Sequence, residues 1–134
     1  MTARREVFAD TSAFLALLSA GDRRHARAKR TFERLRAEQA LLITTSYVLS
    51  ETYALLDRRL GREAVLRFRE DFEPLLSVTW VGREEHDAGL DRLRTLHGSV
   101  SLTDAVSFLV AARVGVREAF AYDPHFRREG LTLL

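Results

Sequence analysis

The 134-residue chain is 46% hydrophobic with a formal net charge of +2, which suits one packed domain and excludes a charge-driven disordered segment. It has no cysteine, so disulfides, zinc–thiolate sites and cysteine nucleophiles are excluded, and a reducing compartment fits. No apolar run approaches the ~20 residues of a membrane span, and Val7, Phe8 and Ala9 are too few for a signal-peptide core. A single cytoplasmic domain over residues 1–134 is expected.

Glu6 to Ala9 reads as a short buried strand ending at Asp10, with Thr11 or Ser12 capping a helix through Leu18. Gly21 and Asp22 break that helix. Arg23 to Gln39 reads as a second helix, with His25, Ala28, Phe32 and Leu35 on one face and a basic stripe of Arg23, Arg27, Arg30 and Arg34 on another. Leu41 to Thr44 is strand-like. Thr45 or Ser46 then caps a helix to about Leu60, ended by Gly61. A helix over Arg62 to Phe72 stops near Pro74, and Leu76 to Val81 reads as a strand. Glu84 to Leu96 is helical, and His97-Gly98-Ser99 is loop. Ser101-Leu102-Thr103-Asp104 fits a capping box before an apolar helix, Ala105 to Val114. Ala119 to Tyr122 is a strand ending at Asp123, Pro124 suits a first helical position, and Thr132 to Leu134 closes the chain as a strand. Alternating strands and helices predict an α/β fold with a central parallel sheet of about five short strands.

Four carboxylates mark the strand-to-helix transitions: Asp10, Glu51, Asp104 and Asp123. In a parallel sheet such places fall on the carboxyl edge, where ligands bind. Each has a plainer reading. Asp10 and Asp123 are candidate helix caps, Asp104 completes a capping box, and Glu51 has Arg58 and Arg59 as candidate ion-pair partners. Together, however, four acids on one edge repel. At ~5 Å and an effective dielectric of ~20 each pair costs roughly 3 kcal/mol, unless a cation sits among them. Hard oxygen ligands suit Mg²⁺ or Mn²⁺ and metal-assisted phosphodiester hydrolysis. With the four acids set aside, 21 basic residues face 15 acidic ones, and 20 of the 21 are arginine, a residue suited to phosphate. The four histidines, His25, His86, His97 and His125, have no metal-ligand spacing; ordinary surface or helix roles are expected, with His97 and His125 as candidates for the pocket mouth.

The stretches Asp10-Thr11-Ser12-Ala13-Phe14, Thr45-Ser46-Tyr47-Val48-Leu49-Ser50-Glu51-Thr52, Leu102-Thr103-Asp104-Ala105-Val106-Ser107-Phe108 and Asp123-Pro124-His125-Phe126 resemble, in order and spacing, the PIN-domain ribonucleases. The likeness is greatest to the VapC-type toxins of toxin–antitoxin pairs. The resemblance implies a three-layer α/β/α sandwich whose carboxylate pocket holds one or two Mg²⁺ or Mn²⁺ ions and cleaves RNA to 5′-phosphate and 3′-hydroxyl ends. It implies metal and catalytic roles for Asp10, Glu51, Asp104 and Asp123, and supporting hydroxyls at Thr11, Ser12 and Thr103. Ser107, one turn further along the helix of Asp104, is a candidate support for it, with a buried small residue the expected reading. It also implies a homodimer neutralised by a cognate antitoxin. The segment before Asp104, His97-Gly98-Ser99-Val100-Ser101, carries less charge than in many relatives. Alternatives are a PIN nuclease of RNA processing without an antitoxin, and a silent PIN binding scaffold. A receiver domain lacks support, since Lys29, the one lysine, is early in the chain.

Overall fold

Strand β1 (Glu6–Ala9) is the middle of the sheet, and its apolar run Val7-Phe8-Ala9 is wholly buried, as expected for a parallel strand covered on both faces. The computed structural model describes residues 4–134. Helices α1 (Thr11–Leu18) and α2 (His25–Ala37) lead to β2 (Leu41–Thr45), and α3 (Ser46–Leu60) and α4 (Arg62–Asp71) to β3 (Leu76–Thr79). Then follow α5 (Arg83–Arg92), α6 (Leu102–Val114), β4 (Glu118–Phe120), α7 (Pro124–Arg128) and β5 (Thr132–Leu133). All four strand pairings are parallel, in the order β3-β2-β1-β4-β5. The chain builds outward from β1 on one side, then returns to its other side with β4. The crevice at the carboxyl ends of β1 and β4 is therefore the topological switch point. The sheet is flanked by helices in the α/β/α arrangement expected.

Aromatic packing fixes the short helix at that crevice. Phe126 of α7 is fully buried between Phe8 of β1, with ring centroids 5.9 Å apart, and Phe108 of α6, at 5.1 Å. Helix α5 lies so close on α6 that only glycine fits at 89: a Cβ there would meet Val106 Cγ2 at 2.6 Å. Among the described residues no helix is long and apolar enough to cross a membrane.

The observed boundaries differ from the expected ones where side chains claim backbone groups. The cap of α1 is Asp10, neither Thr11 nor Ser12: its carboxylate accepts the Ser12 backbone N–H. Helix α2 starts at His25, two residues late, because Asp22 accepts the Arg24 N–H in a local turn. Strand β3 ends at Thr79, and the Val81 N–H goes to the Ser46 hydroxyl instead of a ladder. The helix expected over 84–96 becomes α5 followed by a 3₁₀ turn, Leu93–Thr95. Helix α6 begins at Leu102, because Ser101 is its cap and Asp104 already lies in its first turn. Strand β4 covers Glu118–Phe120, ending short of Tyr122, whose N–H is taken by the Ser12 hydroxyl. At α3 the choice falls to Thr45, whose hydroxyl accepts the Val48 N–H.

Candidate metal centre

Asp10 leaves β1 in extended conformation and turns its carboxylate back over α1. One oxygen accepts both donors of Ser12, the backbone N–H at 3.2 Å and the hydroxyl at 2.8 Å. The same hydroxyl accepts the Tyr122 N–H at 2.9 Å, while the Asp10 N–H donates to the Phe120 carbonyl at 3.1 Å. Ser12 thus stitches the end of β1 to the end of β4 and orients Asp10 between them. Asp10 is only 5% exposed. Burial pushes its carboxyl up to about 6; the two Ser12 donors oppose this, and the charges of Asp104 and Glu51 add to it.

Glu51 lies in the middle of α3, half-buried, and no ion pair to Arg58 or Arg59 forms; both arginines are exposed. Its carboxyl is raised, first by burial, then by the charge of Asp104, with the Thr103 hydroxyl opposing and Asp123 adding. Thr11 acts on this helix, not on a carboxylate. Its hydroxyl, fully within the core, bonds the Val48 carbonyl at 3.3 Å and the Thr52 hydroxyl at 3.0 Å, locking α1 to the turn of α3 that carries Glu51.

Asp104 and Ser101 form the reciprocal capping box: Asp104 Oδ2 accepts the Ser101 N–H and Ser101 Oγ accepts the Asp104 N–H, both at 3.1 Å. Only one carboxylate oxygen is used. The carboxyl is raised by burial foremost, with the Ser101 backbone bond opposing, the Asp123 charge adding and His125 opposing. Asp123 caps α7 through the His125 N–H, at 3.0 Å. Ser107 sits apart from these acids; buried, it donates to the Thr103 carbonyl one turn back in α6.

Asp104 therefore acts on both Asp10 and Glu51, Asp123 acts on Glu51 and Asp104, and one further residue joins them. His125 Nδ1 lies 2.8 Å from Asp123 Oδ1 and 4.0 Å from Asp104 Oδ2, while Nε2 pairs with the Ser99 hydroxyl at 3.0 Å. Nδ1 is buried yet aligned with no hydrogen-bond partner. Ligand atoms of Asp104, Asp123 and His125 all fall within 4.8 Å of one another, a spacing that a divalent cation can bridge. A buried nitrogen without a partner beside oxygens that repel one another is the donor set a cation completes, so these residues fit a metal. Asp10 and Glu51 border this trio through their charges. Sequence reasoning named His125 a candidate for the pocket mouth, with an ordinary histidine role the expected one, and did not read it as a ligand. The available signal was Asp-Pro-His: with Asp123 as cap and Pro124 at the first position, the next residue turns its N–H, and here its ring, toward the cap carboxylate. His97 and His125 line one groove of about 340 Å³ with Val100, Phe108 and Arg128.

Comparison with known proteins identifies the fold that carries these residues. The family profile described as the PIN domain matches residues 7–130. Two relatives named 23S rRNA-specific endonuclease VapC20, from Mycobacterium tuberculosis strains CDC 1551 and H37Rv, are each 34% identical over 131 residues, covering 92% of this chain and 94% of theirs. A solved structure of Mycobacterium tuberculosis VapC20, described as a Sarcin-Ricin loop cleaving toxin, superposes with a TM-score of 0.81 at 32% identity, over 94% of this chain and 96% of that one. With the profile spanning nearly the whole sheet and relatives alike over nearly their whole length, the chain belongs to the PIN-domain family, among its VapC-type members.

Proposed function

We propose that the chain is a metal-dependent endoribonuclease toxin that hydrolyses ribosomal RNA in the cytoplasm, uses Mg²⁺ or Mn²⁺, and is neutralised by a cognate antitoxin. The observation that supports this reading is the grouping of Asp104, Asp123 and His125 within 4.8 Å, with the carboxyls of Asp10, Glu51 and Asp104 each raised in part by the charge of a neighbouring acid. The VapC20 relatives, named for 23S rRNA, support the substrate class. Asp104, Asp123 and His125 would hold the ion, with Asp10 at its side. When bound, the ion acidifies a water and offsets charge on the phosphate. Glu51, whose carboxyl burial and the charge of Asp104 push up, receives the proton from the attacking water. The oxygen of that water bonds to phosphorus, the bond from phosphorus to the 3′-oxygen breaks, and that oxygen takes up a proton. The products carry a 5′-phosphate and a 3′-hydroxyl. Ser12 and Thr11 keep Asp10 and the Glu51 turn in place throughout.

The test is incubation of the purified protein, free of antitoxin, with 23S ribosomal RNA, in Mn²⁺, Mg²⁺ or EDTA, beside Asp104→Asn. Discrete fragments that require metal and vanish in the variant are expected. Intact RNA under every metal, from folded protein, refutes the proposal.

A further inference from the structure

Two arginines of the helix α2 region converge on a single aromatic ring beside the acid site. The guanidinium carbon of Arg24 lies 5.2 Å from the Tyr122 ring centroid and that of Arg27 lies 5.7 Å from it. Two like charges on one ring repel, and the ring face attracts each only modestly. A carboxylate would ordinarily settle such a pair. Among the described residues neither arginine forms an ion pair. The nearby acid, Asp22, is engaged in accepting the Arg24 backbone N–H at 2.7 Å. Arg30 adds a third positive charge within reach of Tyr122. Among the described residues the one polar contact of the Arg27 side chain is a long one, 3.5 Å to a main-chain oxygen of Leu134 at the end of the chain. Apart from that distant oxygen, no acidic side chain among the described residues is paired with the cluster.

Its position gives it a purpose. Tyr122 directly precedes Asp123, and its N–H is joined through the Ser12 hydroxyl to the Asp10 carboxylate. The ring that carries the arginines is thus rooted in the wall of the acid pocket. We propose that Arg24 and Arg27, held against Tyr122, form a subsite that grips one backbone phosphate of the RNA strand next to the scissile bond. The proposal rests on the nuclease reading above. A planar guanidinium fork matches two phosphate oxygens. A strand whose scissile phosphate lies over the carboxylate pocket carries its neighbouring phosphates along the same sheet edge. An acidic peptide seated on the arginines has no phosphate to continue into that pocket. Tyr122 supplies the platform: by stacking the guanidiniums it orders them before the strand arrives, which lowers the entropic cost of the grip.

The test pairs arginine variants with single neutralised phosphates. Fluorescence anisotropy measures binding of a labelled RNA of sarcin–ricin loop sequence, and of a set bearing one methylphosphonate each, to Asp104→Asn protein with and without Arg27→Gln or Arg24→Gln. Arg27→Gln is expected to weaken binding of the unmodified RNA about tenfold and to reduce the slope of log affinity against log salt by about 0.7. That loss should disappear for the RNA neutralised at one position flanking the cleavage site. An unchanged affinity, or a loss equal for every methylphosphonate position, overturns the subsite. Arg27 is exposed, so its replacement leaves the fold intact even if that of half-buried Arg24 does not. Absence of binding by the protein with both arginines intact, to any RNA, overturns the nuclease reading and the subsite with it.

Discussion

Replacing Asp10 by asparagine separates the two roles of this side chain. Asparagine caps a helix as well as aspartate does, so the Ser12 N–H and hydroxyl keep an acceptor. The buried charge is another matter. The folded chain holds the Asp10 proton up to about pH 6, whereas the ordinary value, 3.8, applies once the chain unfolds. Between those values the folded state binds more protons than the unfolded one, so stability falls as pH rises through the window. About two units at 1.36 kcal/mol each make the penalty roughly 3 kcal/mol, absent below about pH 4 and complete above about pH 6.5. Asparagine carries none of it. In EDTA, Asp10→Asn is expected to match the wild type near pH 4 and to exceed it by up to about 3 kcal/mol at pH 8, roughly 10 °C in Tm for a chain of this length. Thermal unfolding followed by circular dichroism across that range measures the gap. Mn²⁺ should narrow it at pH 8, because an ion that binds the folded wild type more tightly than the folded variant returns more stability to the wild type by mass action. A variant less stable than wild type at pH 8, or a gap that ignores pH, would refute the argument that Asp10 is a strained, buried charge.

Three further outcomes follow from the same geometry. Glu51→Gln should lower kcat at least a hundredfold while Mn²⁺ affinity, read by calorimetry, stays within a few-fold; near-normal turnover would remove Glu51 from the chemistry. His125→Ala should weaken Mn²⁺ binding tenfold or more, with activity partly recovered at high metal, and an unaltered titration would return His125 to a purely structural role. Gly89→Ala should cost about 1–3 kcal/mol in urea unfolding. The gain of up to about 1 kcal/mol from helix propensity is smaller than the clash of the new Cβ with Val106 at 2.6 Å; a stabilised variant would show that α5 and α6 lie further apart.

The parallel sheet and the four acids were legible because each is written in local signals. Apolar runs end at Asp10 and Asp123, a capping box marks Asp104, and Glu51 interrupts an apolar helix face. What escaped depends on which elements meet. His125 joins the acids only because Phe126 is wedged between Phe8 and Phe108, which brings α7 against α6. Arg24 shares the Tyr122 ring with Arg27, although the expected stripe ran through Arg23, because the ring comes from the distant end of β4. Ser107 is the buried small residue expected, its hydroxyl satisfied on the preceding turn of its own apolar helix.

The placement of β4 beside β1 sets when the activity proposed here can arise during synthesis. A ribosome delivers Asp10 first and Asp123 more than a hundred residues later, yet the Asp10 N–H bonds the Phe120 carbonyl and Ser12 holds Tyr122. A nascent chain that has not released β4 and α7 lacks Asp123, His125 and the partner strand that orients Asp10. Until β4 and α7 have left the ribosome the acid site is therefore incomplete, and a product interrupted before them lacks the proposed activity.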